Sequence, residues 1–213
     1  MSLPTTDLSP PSAARPLPLF WRLLEAYFHH AYRMETLEGD PEALLAYNFY
    51  TYRGPDVPLR CGTVIHGGDR LLELHFRREA LLPLIQDGDS AHMGLGLVRL
   101  AERDVPRLAL VLERDPRFQE VKALHALTLF YRGTARYGFE VMPVREWWAE
   151  RWFTWWHRRL MARDHAQGDA HVEDYQERLV SRHIWVSRAE LIRRYGTQGR
   201  KRRAPAADAS APQ

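Results

Sequence analysis

Residues 61–76 read CGTVIHGGDRLLELHF. Gly67-Gly68 stands between two β-rich runs and supplies the positive φ angles of a two-residue turn, so the stretch reads as a tight hairpin. Its second strand alternates: Leu72, Leu74 and Phe76 share one face, and Leu71, Glu73 and His75 share the other. A carboxylate and an imidazole two apart on one strand face are a pair suited to acid–base work.

Working outward, residues 43–53 are rich in Tyr and Phe and read as a long strand. Gly54-Pro55-Asp56 and Pro58 form the loop into the hairpin. Residues 17–34 carry Phe20, Leu24 and Ala31 at helical spacing and read as a first helix. Residues 1–16 hold several prolines without periodicity and read as a disordered arm. Downstream, 77–85 reads as a short helix ended by Asp87-Gly88-Asp89. Ser90 then caps a longer helix to about Glu113, with a kink or break at Pro106. Strands follow at 121–130 and 139–142, separated by a short helix that Gly138 closes. A Trp-rich helix covers 145–163, a polar loop 164–174 and a last strand 179–186. Ser187-Arg188-Ala189-Glu190 is a capping box that opens a helix ending at Tyr195. Residues 197–213 read as a disordered basic tail. The expected fold is α+β: a single domain over 17–196, with a mixed or antiparallel sheet and a central β-hairpin packed by several helices.

With 213 residues, 45% hydrophobic and 11% aromatic, the chain is globular and large enough to bury a core. Cys61 is its one cysteine, which rules out an intrachain disulfide and a cysteine-based zinc cluster. No apolar run approaches the ~18 residues of a membrane span, and the N-terminus lacks a leader-like pattern, so a cytoplasmic location is expected. The net charge of +3 is unevenly placed. From Arg188 onward seven basic side chains face two acids, giving +5 there and −2 for the rest.

Five landmarks then coincide: YRGP (52–55), GDRLLELHF (68–76), DPRF (115–118), VKALHALTLFYRGTARYGFEV (121–141) and WVSRAELIRRY (185–195). Together they resemble the YkoP-like domain family, over roughly residues 19–195. The resemblance implies a place in bacterial cell-envelope polysaccharide metabolism, beside or fused to polysaccharide deacetylases. It implies no active-site residues. The deacetylase's own paired-aspartate TFDDG block is absent, so a deacetylase activity of that type is not expected here.

Glu73 and His75 are the candidate catalytic pair, and with His66 the candidate metal ligands; no cofactor is expected. The alternative is a polar strand face with a hydrogen-bonded histidine. His125 shares a face with Ala123 and Leu127 and reads as a core histidine or a ligand contact. The loop residues Asp164, His165, Asp169 and His171 match no metal spacing. Gly94-Leu95-Gly96 lacks the third glycine of a dinucleotide fingerprint. Gly88-Asp89-Ser90 lacks the downstream partners of a serine hydrolase. Cys61 reads as a small buried residue. Trp148, Trp152, Trp155 or Trp156, and Leu160 form one helical stripe, widened by Trp147 and Phe153. That stripe is either core or a partly exposed platform for sugar rings or a membrane interface. Three functions follow: an accessory domain binding polysaccharide or a lipid-linked sugar, a hydrolase using Glu73 and His75, or a nucleic-acid binder through GRKRR (199–203). The last lacks the aromatic residues that usually interleave such a patch.

Overall fold

The computed structural model describes residues 34–86, 90–164 and 179–203. By its contacts the chain divides into Met1–Arg33 and Met34–Gln213, and the fold reported is that of the second unit. The arm at 1–16, the helix read at 17–34 apart from Met34, and His165, Asp169 and His171 lie outside the described residues.

The chain enters through β1 (Glu35–Thr36), β2 (Leu45–Thr51), β3 (Val57–Pro58), β4 (Val64–Ile65) and β5 (Arg70–Phe76). Two helices follow, α1 (Arg78–Gln86) and α2 (Ser90–Arg114), then β6 (Val121–Thr128) and β7 (Glu140–Met142). The Trp-rich α3 (Trp147–Asp164), β8 (Arg182–Ser187), α4 (Arg188–Tyr195) and α5 (Thr197–Arg203) complete it. Six strands form one sheet in the order β1-β2-β5-β6-β8-β7; β5 and β6 are parallel and the other pairs antiparallel. With helices on this mixed sheet the fold is α+β, as the sequence indicates.

The central hairpin is a correction. β5 pairs with β2, and β4 pairs with β3 in a separate two-stranded sheet. The Asp69 N–H donates to His66 O at 3.1 Å, and Gly68, at φ 100°, is the positive-φ residue of that turn while Gly67 is not. A positive φ at the third position alone marks a type II turn, which splays the flanking strands instead of pairing them. The real hairpin lies one strand earlier, where Leu59 N–H donates to Thr63 O at 2.8 Å around Cys61 and Gly62. Cys61 is exposed there, not buried.

The alternation on β5 holds. Leu72 and Leu74 join Leu124, Ile184 and Val186 on the face covered by helices, against Leu108 and Leu112 of α2 and Leu191 of α4. All but Leu74, Ile184 and Val186 of these are fully shielded from solvent. At about 1.5–3 kcal/mol per buried aliphatic side chain, this contact is the main force holding α2 to the sheet. Pro106 does not break α2, which runs unbroken through it; the packing of Val105, Leu108 and Ala109 around it offsets the lost hydrogen bond. Ser187 caps α4 as expected, its Oγ accepting from Glu190 N–H at 3.1 Å. The Glu190 carboxylate does not return the bond; it pairs with Arg193 and Arg194. Thr197–Arg203 is helical where the sequence reads a tail. Its first turn is tied down from outside: Glu113 Oε2 accepts from Thr197 N–H at 2.8 Å and from its hydroxyl at 2.7 Å.

Candidate functional site

Two groups of side chains stand apart from the core. The first lies on the sheet face away from α2. Strand pairing sets Asn48 opposite Glu73, Glu73 opposite His125, and Leu127, next on the His125 face, opposite His183. The His75 Nε2–H donates to Asn48 Oδ1 at 2.6 Å, and Asn48 Nδ2 donates to Glu73 Oε2 at 3.4 Å. His75 Nε2 and Glu73 Oε2 are 3.7 Å apart, so the sequence-derived pair does share a side, half-buried. Burial opposes ionisation of Glu73, but the neighbouring His75 and the Asn48 amide outweigh it and hold the carboxyl below its ordinary range.

His125 is buried, as the core reading has it, yet it is also the centre of a chain. Its Nδ1 lies 3.1 Å from the Tyr50 hydroxyl and its Nε2 2.7 Å from His183 Nδ1. With Tyr50 donating to Nδ1, the Nε2–H of His125 donates to His183 Nδ1, so both ring nitrogens of His125 are satisfied. The Trp185 ring stacks on His125, centroids 4.0 Å apart at 28°. Burial pushes the His125 pKa down to about 3 and lowers that of His183, so both rings are neutral. Beyond this chain the face is closed by the β3–β4 hairpin, through Leu59 and Ile65 against Leu71, Ala123 and Trp185.

His66 does not join Glu73 and His75. Its Nδ1 pairs with Asp56 Oδ1 at 2.9 Å. Among the described residues no three His, Cys, Asp or Glu side chains converge as metal ligands. Cys61 Sγ lies 3.3 Å from Ser187 Oγ and 3.4 Å from Thr63 Oγ1. A cavity of about 500 Å³ lies elsewhere, between β1 and α2. Most of its charged walls pair with one another, Arg107 with Glu38 and Arg117 with Glu35 and Asp115.

The second group is α3. Its inward side is made of the buried Ala149, Thr154 and Met161, with Phe153, Trp156, His157 and Leu160 half-buried beside them. Thr154 Oγ1 accepts from Ser181 N–H at 2.9 Å, His157 Nδ1 meets Ser181 Oγ at 2.8 Å, and Arg158 Nε donates to Leu179 O at 2.7 Å. These bonds fix the rotation of the helix on the segment that leads into β8. The tryptophan stripe is left outside: Trp147 is 73% exposed, Trp148 62%, Trp152 56% and Trp155 47%. The Trp152 and Trp155 rings lie 5.4 Å apart, tilted by 33°. Four rings so exposed present on the order of 500 Å², near the upper end for a patch on a soluble monomer. The core alternative for Trp148, Trp152 and Trp155 is thereby corrected. Arg200 and Arg202 of α5 are also exposed. No helix among the described residues is long and apolar enough to cross a membrane.

Comparison with known proteins adds a family. The "Uncharacterized protein YkoP" of Bacillus subtilis (strain 168) is 24% identical over 126 residues, which are 58% of this chain and 69% of that protein. No solved structure matches the chain. The YkoP domain matches residues 15–195, well over half of the sequence, and the chain belongs to the YkoP domain family.

Proposed function

We propose that this chain is an accessory, non-catalytic domain of cell-envelope polysaccharide metabolism, and that α3 is where it holds a glycan. The observation that carries the reading is the set of four exposed tryptophans on one helix face. Indole rings stack on the C–H faces of pyranose rings while the sugar hydroxyls stay in water, so such a face suits a sugar far better than it suits bare solvent. Trp148, Trp152 and Trp155 rise along the helix in steps of about 6 and 4.5 Å. Each step is close to one pyranose unit, so the stripe fits an extended chain. The partner of such a domain is an enzyme acting on the bound polymer, a polysaccharide deacetylase being the one the resemblance implies.

The test is glycan binding by single variants. Trp148→Ala, Trp152→Ala and Trp155→Ala are each expected to weaken affinity for a soluble polysaccharide by about three- to tenfold, one lost stacking contact each. Thermal stability should hardly move, since exposed substitutions stay within about 0.5 kcal/mol. Variants that unfold, or that bind as well as the parent, contradict the reading.

A second reading places acid–base chemistry at Glu73 and His75. It is favoured by their 3.7 Å separation beside the Tyr50–His125–His183 chain. Glu73→Gln separates the two. On the first reading it leaves glycan affinity unchanged, because the bound polymer lies on α3; turnover of a glycan substrate that Glu73→Gln abolishes makes the domain an enzyme.

A further inference from the structure

Every exposed residue of α3 is a tryptophan or an arginine: Trp147, Trp148, Arg151, Trp152, Trp155 and Arg159. Arg151 stands three residues after Trp148 and four before Trp155, so its guanidinium sits inside the aromatic face, not at its border. It makes no ion pair among the described residues. The helix's acids are turned away: Glu150 pairs with Arg182, and Asp164 with Arg78 and Arg163. A row of rings with Arg151 set among them, and no carboxylate on the same face among the described residues, is complementary to a chain of rings that carries negative charge. We propose that the ligand of this face is an anionic glycan, with the tryptophans stacking on sugar rings and the Arg151 guanidinium donating to the carboxylate or phosphate oxygens of the polymer. This rests on the polysaccharide reading above and specifies its ligand.

An anionic bilayer shares the charge but not the shape of the match. Helices that lie in a bilayer interface separate an aliphatic and aromatic face from a basic one. Here Leu160 and Phe153 are half-buried, no aliphatic residue among the described ones joins the exposed rings on α3, and Arg151 lies among them. Sinking that face into acyl chains would desolvate a guanidinium. A hydrated polymer leaves it in water and offers it bidentate acceptors.

The experiment compares two derivatives of one backbone, carboxymethyl-cellulose and hydroxyethyl-cellulose, by calorimetry on the full chain. Polygalacturonate serves as a second anionic glycan, and phosphatidylglycerol vesicles as the bilayer arm. The anionic glycans are expected to bind about tenfold or more tighter than hydroxyethyl-cellulose, as a charge-assisted contact gives. That advantage should shrink as salt rises from about 50 to about 500 mM. Arg151→Gln should remove the advantage while keeping binding to the neutral polymer. Arg99→Gln, an exposed arginine on α2, should keep it. Equal affinity for charged and neutral cellulose overturns the inference and leaves the polysaccharide reading standing. Arg99→Gln losing as much as Arg151→Gln overturns it as well, since attraction is then a matter of overall charge. Capture by vesicles without binding to any glycan overturns both.

Discussion

Replacing Asp104 by alanine is expected to remove about 3–5 kcal/mol of unfolding free energy, the cost of breaking a buried ion pair from one side. Asp104 is fully buried in the middle of α2. Its Oδ2 accepts from Leu44 N–H at 2.6 Å, and its Oδ1 accepts from Arg103 Nε at 2.7 Å. Arg107 Nη1 stands 3.5 Å from the same carboxylate and bonds Asp40 at 2.7 Å, while Arg103 also reaches Glu42 O at 2.6 Å. One side chain thus fastens the segment before β2 to α2. Alanine leaves a buried N–H without an acceptor and the Arg103 guanidinium without its anion, while Arg107 keeps Asp40 and Glu38. Against a total stability of about 5–15 kcal/mol, such a loss lies close to global unfolding. Asp104→Asn keeps an acceptor for Leu44 and should lose less. Urea titrations check both, and a loss below about 1 kcal/mol for Asp104→Ala would mean that the clamp is dispensable.

The second large effect is with acid. Burial pushes His125 down to about 3 and His157 to about 4, and lowers His183. These bases are neutral in the fold. Below about pH 6.5 the unfolded chain takes up protons that the folded chain refuses, so stability is full above that pH and falls as pH drops. Each group contributes a slope of about 1.4 kcal/mol per pH unit, and His125 and His157 together about 3. Glu190, held at about 2 by Arg193 and Arg194, adds to the loss below about pH 4.5 in the same direction. Acid unfolding is therefore expected above pH 4. His157→Asn removes one titrating group and should flatten the slope by about one such step. Circular dichroism against pH measures it; unchanged stability from pH 7 to 4 would contradict the burial of neutral histidines.

These two effects rest on residues that the sequence hides to different degrees. Element types are legible because alternation on β5 and the capping signal at Ser187-Glu190 are local. The pairing of β5 is not. Gly-Gly is compatible with several turn types, and the strand that β5 actually meets, β2, is fixed by long-range packing of Leu72 and Leu74 under α2. Asp104 reads as an ordinary charged helix position, since nothing nearby in sequence announces Leu44 as its partner. His183 escapes notice for the same reason: its link to His125 crosses 58 residues. Its period-2 match to Trp185 on one strand was the available signal. Rotation of α3 is the most instructive case. Hydrophobicity alone turns a tryptophan stripe inward, but Thr154, His157 and Arg158 hold hydrogen bonds to residues 179–181 that set the opposite rotation.

The account turns on that rotation and on what it leaves open to solvent. Acrylamide quenching of tryptophan fluorescence, with and without saturating carboxymethyl-cellulose, tests it most directly. Most of the emission should be accessible to the quencher in the free protein and shielded once the glycan is bound. Emission already inaccessible in the free protein, or no shielding at saturation, would contradict it.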